Sequence, residues 1–309
     1  MSLGLLSLLK PEDPRCCDLL GVLAGVKPML HASVREEEAP RWDALCRRLS
    51  LRQARPLMRP DRGTAFQDGA RIVFVSRREG VLKAGLRAWA LPRIPDSNRA
   101  LGRLLGYPEC CVRAYLRWAP RPGKKEEDLV RALADRTPRA DDPLPFLLND
   151  LFTFASTPLR AQRGEDKLYA RLARENRGEG TLERGVVSWH PCSYRCAPSL
   201  RSARAVFSLM KRFFPGDARA LRAFLSRPVL YFDRFAFAAL DGARFSRGER
   251  GAREVRFSSV GAPRAPLPAA LRRRLAGGEL SVSRGAVRAG GRRLAGAPLL
   301  LDFSEGTDA

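Results

Sequence analysis

Histidine is scarce in this sequence, and long apolar runs are missing. Only two histidines occur among 309 residues, which excludes a metal or catalytic centre built mainly from histidine. No stretch approaches the roughly 20 apolar residues that cross a bilayer, so we expect no membrane association. The apolar residues 1–9 have no basic segment before them and end at Lys10-Pro11. We therefore expect no secretory signal and a cytoplasmic location.

Several common catalytic motifs are also missing. The sequence contains no Walker motif, no GxGxxG after its one clear strand, no HExxH and no GxSxG. Each of these motifs places specific residues around a phosphate, a dinucleotide, a zinc ion or a nucleophilic serine. None of the sites that these four motifs form is predicted here.

Positive charge is abundant but comes almost wholly from arginine. The formal net charge is +23, and only seven of the 56 basic residues are lysines. The arginines are spread along the chain and form no basic tail. Such a charge predicts a salt-sensitive attraction to RNA or another anionic partner. It does not by itself make that binding the function.

The apolar pattern predicts an α+β protein with three regions. Residues 1–97 are expected to form an α/β segment, with a helix at residues 16–24 and a buried strand at residues 71–76. Residues 98–226 are expected to form a helical domain that carries the cysteine motifs. Residues 227–309 are expected to form a small antiparallel β unit, because short apolar runs alternate there with glycine turns. The oligomeric state is not predicted.

The sequence contains seven cysteines, an odd number that cannot pair completely within one chain. Because no export signal is expected either, free or metal-bound thiols are favoured over disulfides. Cys16 shares a helix face with Leu19 and Leu20, and Cys46 shares one with Trp42 and Leu45. Apolar neighbours at this spacing predict that both thiols are buried in the core.

The first motif is Gly106-Tyr-Pro-Glu-Cys-Cys111. Gly106 is expected to end one helix, and Pro108 suits the first turn of the next. Cys110 and Cys111 then lie at a helix start, where the helix dipole favours the thiolate that binds metals. Cys110 is the better ligand, since Cys111 shares the apolar face of Ala114, Tyr115 and Trp118.

The second motif is His190-Pro-Cys-Ser-Tyr-Arg-Cys196, followed by a helix for which Ser199 is the predicted N-cap. Cys192 and Cys196 are close enough in sequence to share one metal ion, whether the turn is helical or not. His190 is a further candidate ligand. Arg113, Arg117 and Arg195 are candidate contacts for an anionic substrate, although each alone is well explained as surface charge.

Together the two motifs resemble the GYPxCC and HPCxxxC signature of an uncharacterised prokaryotic family. The resemblance covers about residues 96–205 and adds Asn149 as a candidate substrate-binding residue. It implies no established reaction. The adjacent cysteines with a second cysteine pair are also similar in pattern to the cluster-binding arrangement of epoxyqueuosine reductases and heterodisulfide-reductase-type proteins.

Three functions remain open from the sequence. The first is an enzyme with an iron–sulfur cluster such as [4Fe-4S], serving redox, sulfur-transfer or nucleotide and RNA modification chemistry; the lack of a CxxC pair favours it slightly. The second is an RNA-binding protein with a structural zinc site, in which Cys110, Cys192 and Cys196 are joined by Cys111 or His190. The third is a thiol redox protein without metal.

Overall fold

A computed structural model describes residues 15–57, 70–118, 128–151, 185–233, 236–248, 252–261, 267, 269–283 and 286–304. The helices in these ranges are α1 (Arg15–Leu23), α2 (Ala39–Arg48), α3 (Glu79–Ala90), α4 (Ile94–Leu104), α5 (Glu109–Trp118), α6 (Leu129–Asp135), α7 (Ala197–Phe213), α8 (Pro215–Leu225) and α9 (Ala269–Leu275). Short 3-10 turns lie at Glu36–Glu38 and Phe146–Leu148.

The N-terminal region contains a three-stranded antiparallel sheet. It comprises β1 (Leu30–Arg35), β2 (Arg52–Ala54) and β3 (Ala70–Ser76), with β3 in the middle. The β-branched and aromatic side chains of β3 alternate between two cores, because successive residues of a strand point to opposite faces. Val73 and Val75 join the main core, and Ile72 and Phe74 pack with α3 and α4 residues in a smaller one.

Two antiparallel sheets form the C-terminal region. The four-stranded sheet has the order β12 (Leu299–Leu301), β4 (Val229–Asp233), β5 (Ala236–Asp241) and β8 (Ser259–Gly261). The five-stranded sheet has the order β11 (Arg292–Arg293), β10 (Ala286–Ala289), β9 (Glu279–Ser283), β7 (Arg253–Arg256) and β6 (Arg244–Arg247).

The four-stranded sheet is covered on both faces. In β4, Val229 and Tyr231 face the main core, and Leu230 faces a second core that it shares with the five-stranded sheet and α9. This explains why β4 has an unbroken apolar run, whereas strands with one solvated face alternate apolar and polar residues.

Helices combined with antiparallel sheets confirm the predicted α+β class, the helical middle and the antiparallel C-terminus. The division at residues 97 and 226 stays a prediction. Its first boundary falls inside α4, and its second falls between α8 and β4. Leu20, Cys111 and Phe303, one from each predicted region, belong to the same core.

In the ranges described above, no helix combines the length and apolar character that crossing a membrane requires.

Candidate metal centre

The first cysteine motif begins where α4 ends. Gly106 has a φ of +76°, a conformation that glycine adopts without strain. The N–H of Tyr107 donates to the carbonyl of Gly102 at 2.9 Å, and that of Gly106 donates to the carbonyl of Arg103 at 3.1 Å. These two bonds form a Schellman motif, so Gly106 ends the helix as predicted.

The next helix, α5, starts within three residues. The carbonyl of Pro108 accepts from the N–H groups of Cys111 at 2.8 Å and Val112 at 3.0 Å. Cys110 and Cys111 are therefore the second and third residues of α5, at the positive end of its dipole, as predicted.

The second motif is a turn that leads into α7. The N–H of Cys196 donates to the carbonyl of Ser193 at 3.1 Å, and Cys196 itself is the N-cap of α7. The helix therefore begins before Ser199, and the prediction that Ser199 is the N-cap is wrong. Pro198 explains the earlier start, since proline is well tolerated in the first helical turn.

The four cysteines of the two motifs meet although Cys111 and Cys192 are 81 positions apart in the sequence. The Sγ atom of Cys196 lies 3.7 Å from that of Cys110 and 3.6 Å from that of Cys111, and the last two are 3.9 Å apart. With Cys192, all four Sγ atoms lie within 4.8 Å of one another. This confirms that the cysteines are close enough to hold a metal.

The group has a buried side and a more open side. Cys111 and Cys196 are 1% and 6% exposed, whereas Cys110 and Cys192 are half-buried. Cys111 is thus both a core residue, as predicted from its apolar helix face, and a member of the thiol group.

Hydrogen bonds concentrate negative charge on one sulfur. The pKa of Cys196 is lowered because the thiols of Cys111 and Cys192 donate to it, and Ser199 adds further bonds. The pKa of Cys111 is raised because of the bonds to Cys192 and Cys196 and because of burial. The backbone N–H of Cys192 also donates to the Sγ of Cys111 at 3.3 Å. The hydrogen bonds among Cys111, Cys192 and Cys196 therefore favour the thiolate form at Cys196.

Ser199 connects the thiol group to the aromatic residue of the second motif. Its buried hydroxyl lies 3.2 Å from the Sγ of Cys111 and accepts from the Nε1 of Trp189 at 3.1 Å. The ring of Trp189 packs against that of Tyr107 with centroids 5.2 Å apart. Sequence reasoning missed this role, because serine beside Pro198 resembles an ordinary helix cap.

A buried lysine fixes the same aromatic pair from the N-terminal region. Lys27 is 3% exposed, forms an ion pair with Asp18 and donates to the hydroxyl of Ser188 at 2.8 Å. Its Nζ lies 5.3 Å from the ring centroid of Tyr107 and 5.5 Å from that of Trp189. A buried ammonium group is retained when ion pairing and cation–π contacts compensate its desolvation. Nothing in the local sequence indicated this residue.

His190 precedes Cys192 by two residues and is paired with a carboxylate. Its Nδ1 is 2.7 Å from the Oδ2 of Asp150, whose side chain is 2% exposed. The group of ligand atoms within 4.8 Å consists of four sulfurs and contains no histidine nitrogen. Ligation by His190 therefore stays a prediction, while its contact with Asp150 is a feature of the fold.

The candidate substrate contacts have different surroundings. Arg113 and Arg117 are exposed on α5, and Arg195 is half-buried, with its Nη2 donating to the carbonyl of Pro143 at 2.7 Å.

Asn149 is fully buried. Its side-chain amide nitrogen donates to the carbonyl of Leu225 at 2.8 Å, and its side-chain oxygen accepts from the N–H of Leu151 at 3.3 Å. In this conformation Asn149 has no surface to offer a substrate and links two parts of the fold.

The other three cysteines are separate from the site. Cys16 and Cys46 have no exposed surface, and Cys17 is 8% exposed, which confirms the core positions predicted for Cys16 and Cys46. All seven cysteines are free thiols.

Comparison with known proteins gives no further information about the site, because no family model, curated protein or solved structure matches this chain.

Proposed function

We propose that the four cysteines hold one Zn²⁺ ion in a structural site that fastens the turn before α7 to the start of α5. The observation that carries this proposal is the set of sulfur–sulfur distances: 3.6 to 3.9 Å among Cys110, Cys111 and Cys196, with the sulfur of Cys192 within 4.8 Å of each. Zinc binds thiolates at about 2.3 Å in a tetrahedron, whose edge is then about 3.8 Å. The sulfurs are thus already spaced for a single ion.

The same distances favour zinc over the iron–sulfur cluster that the sequence slightly favoured. In a four-iron cluster each thiolate binds a different iron atom, and the inorganic core keeps the thiolates farther apart than a single ion does. A group with all four sulfurs within 4.8 Å of one another suits one tetrahedral ion better.

A structural role follows from the number of ligands. Catalytic zinc keeps one position open for water or substrate, whereas four protein thiolates close the coordination shell. The ligands also come from two helix starts, where the positive ends of the α5 and α7 dipoles stabilise thiolates. The metal would act as a cross-link between distant segments and contribute its binding free energy to folding.

The test is anaerobic purification without added metal, followed by metal analysis by mass spectrometry and visible absorption. We expect one zinc per chain and a colourless protein. A brown protein containing iron and labile sulfide would contradict the proposal and restore the cluster hypothesis. A protein free of both metals, whose Tm does not change when Zn²⁺ is added, would favour the thiol redox function.

A matched pair of variants locates the metal. Cys192→Ser removes a half-buried ligand and is expected to abolish stoichiometric zinc. Cys17→Ser alters a buried thiol outside the group and is expected to retain it. Full zinc content in Cys192→Ser would mean that the metal binds elsewhere.

A further inference from the structure

The outer face of the five-stranded sheet carries opposed pairs of arginines. Residues directly opposite each other on adjacent antiparallel strands share a face. The register places Arg244 opposite Arg256 and Arg288 opposite Arg293. Both pairs lie on one face of the sheet. Ser281 on β9 is opposite both Arg288 on β10 and Glu254 on β7, so these three side chains share a face. Arg256 follows Glu254 by two residues on β7 and therefore points to that same face.

The side chains on this outer face are not part of the hydrophobic core. The opposite face carries Val255, Leu280 and Val287, which are at most 3% exposed and form the second core. The four paired arginines are all exposed. The fold therefore fixes the sheet with apolar residues on one side and presents the arginines to solvent on the other.

The pairing costs stability, so folding alone does not account for it. Like charges directly opposite on neighbouring strands are destabilising. Arg256 is relieved by Glu279, whose Oε1 lies 3.1 Å from its Nε. Within the described residues, Arg244, Arg288 and Arg293 form no ion pair. Glu254, half-buried, is the other acid on the face.

The spacing of the two pairs suits a run of phosphates. Strands in a sheet lie about 4.8 Å apart, so the two arginine pairs are about 14 Å apart across the strands, and they are offset by two residues along the strands. The half-buried hydroxyl groups of Ser281 and Ser283 lie on β9, between the two arginine pairs. The exposed hydroxyl group of Ser246 lies on β6, at the edge of the sheet. A positive surface with interspersed hydroxyl groups contacts phosphates and sugars, not the faces of bases.

We propose that this face binds the backbone of double-helical RNA. The register places no aromatic side chain on it, so the bases of a single strand would find nothing on which to stack. A duplex presents phosphates outward and needs no stacking partner. The serine hydroxyls are suited to the ribose 2′-hydroxyl groups by which proteins distinguish RNA from DNA. This inference does not depend on the metal centre.

The experiment measures binding of the full-length protein to a labelled 20-base-pair RNA duplex by fluorescence anisotropy at several salt concentrations. The test variant is Arg288→Gln/Arg293→Gln. The control is Arg48→Gln/Arg87→Gln, which removes the same charge from exposed positions on α2 and α3. We expect the sheet variant to weaken binding on the order of tenfold and to reduce the salt slope by about two, and the control to change affinity less than twofold.

A stability measurement separates lost contacts from lost folding. Because the substitutions relieve like-charge repulsion, the Tm of the sheet variant should equal or exceed that of the wild type. Equal weakening by both variants would overturn the proposal in favour of attraction by overall charge. Tighter binding to single-stranded RNA, or equal binding to duplex DNA, would overturn the choice of RNA duplex. Metal content is expected to be the same in all variants.

Discussion

The seven cysteines fall into two groups with the same chemistry and different surroundings. Cys16, Cys17 and Cys46 are buried among apolar side chains of the main core, and burial raises the pKa of Cys46 to about 12. Cys110, Cys111, Cys192 and Cys196 lie at or just before two helix starts, with their sulfurs in mutual contact. Position at a helix start does not separate the groups, because Cys16 and Cys17 are the second and third residues of α1, as Cys110 and Cys111 are of α5. The second group is a candidate metal site because its sulfurs converge from two distant segments, whereas thiols packed among apolar side chains behave as small hydrophobic residues.

The largest expected difference between the groups is in the cost of losing one thiol. Cys196→Ser removes a ligand and should release the metal, because three thiolates do not close a tetrahedral site. Structural zinc contributes an apparent binding free energy of about 10 kcal/mol or more. Cys46→Ala deletes one buried sulfur, and we expect a loss of about 1–2 kcal/mol with full metal content. Chemical unfolding and metal analysis of both variants provide the measurement.

A serine oxygen can ligate zinc weakly, so Cys196→Ala is the stricter variant. If Cys196→Ala and Cys46→Ala lose similar stability and both retain their metal, the distinction between the groups is wrong.

The sequence predicted much of this distinction from local patterns. Cys16 with Leu19 and Leu20, and Cys46 with Trp42 and Leu45, are spaced so that a helix buries them together, and the structure confirms this. Gly106 and Pro108 predicted the end of one helix and the start of the next. Such signals lie within a few residues of each other, and the backbone rules that generate them are local.

What the sequence did not predict depends on contacts between distant segments. Lys27 and Ser188 are 161 residues apart, and Cys111 and Ser199 are 88 apart. No periodicity relates such pairs. The sulfur–sulfur distances on which the zinc proposal rests also exist only after folding, so no local pattern in the sequence could supply them.

Alkylation of the metal-free native protein provides a second way to sharpen the comparison. We expect iodoacetamide at pH 8 to modify half-buried Cys110 first and to leave Cys46 unmodified until the protein is denatured. Cys46 has no exposed surface, and burial raises its pKa to about 12, so both access and thiolate formation are limited there. Peptide mass spectrometry over time follows each site.

Zinc should protect Cys110 and Cys192 without changing the slow reaction of Cys46. Reaction of Cys46 at the rate of Cys110 would contradict the burial difference on which the two groups are defined.

A third prediction concerns the backbone that positions the first motif. In Gly106→Ala the new Cβ would meet the carbonyl oxygen of Val26 at 3.0 Å, in a conformation with φ of +76°. We expect a loss of about 2 kcal/mol and weaker zinc binding, because the strain lies four residues before Cys110. Gly80→Ala is the control, since its Cβ meets nothing within 4 Å inside α3, and it should be neutral or stabilising. Equal stability of the two variants in thermal unfolding would contradict this account.

The smallest effect is expected from the residue that supports the ligands without binding the metal. Ser199→Ala removes the hydroxyl that contacts the Sγ of Cys111 and accepts from the Nε1 of Trp189, and it leaves the buried indole N–H without that partner. A lost buried hydrogen bond costs about 1–2 kcal/mol, and loss of a group that orients a ligand lowers metal affinity about tenfold or more. Competition with a zinc chelator should therefore reveal weaker binding at unchanged stoichiometry. Ser226→Ala, at the C-terminal end of α8, is the control. If Ser199→Ala lowers the Tm but leaves the zinc affinity at the value of that control, Ser199 supports the core and has no part in orienting the thiolates.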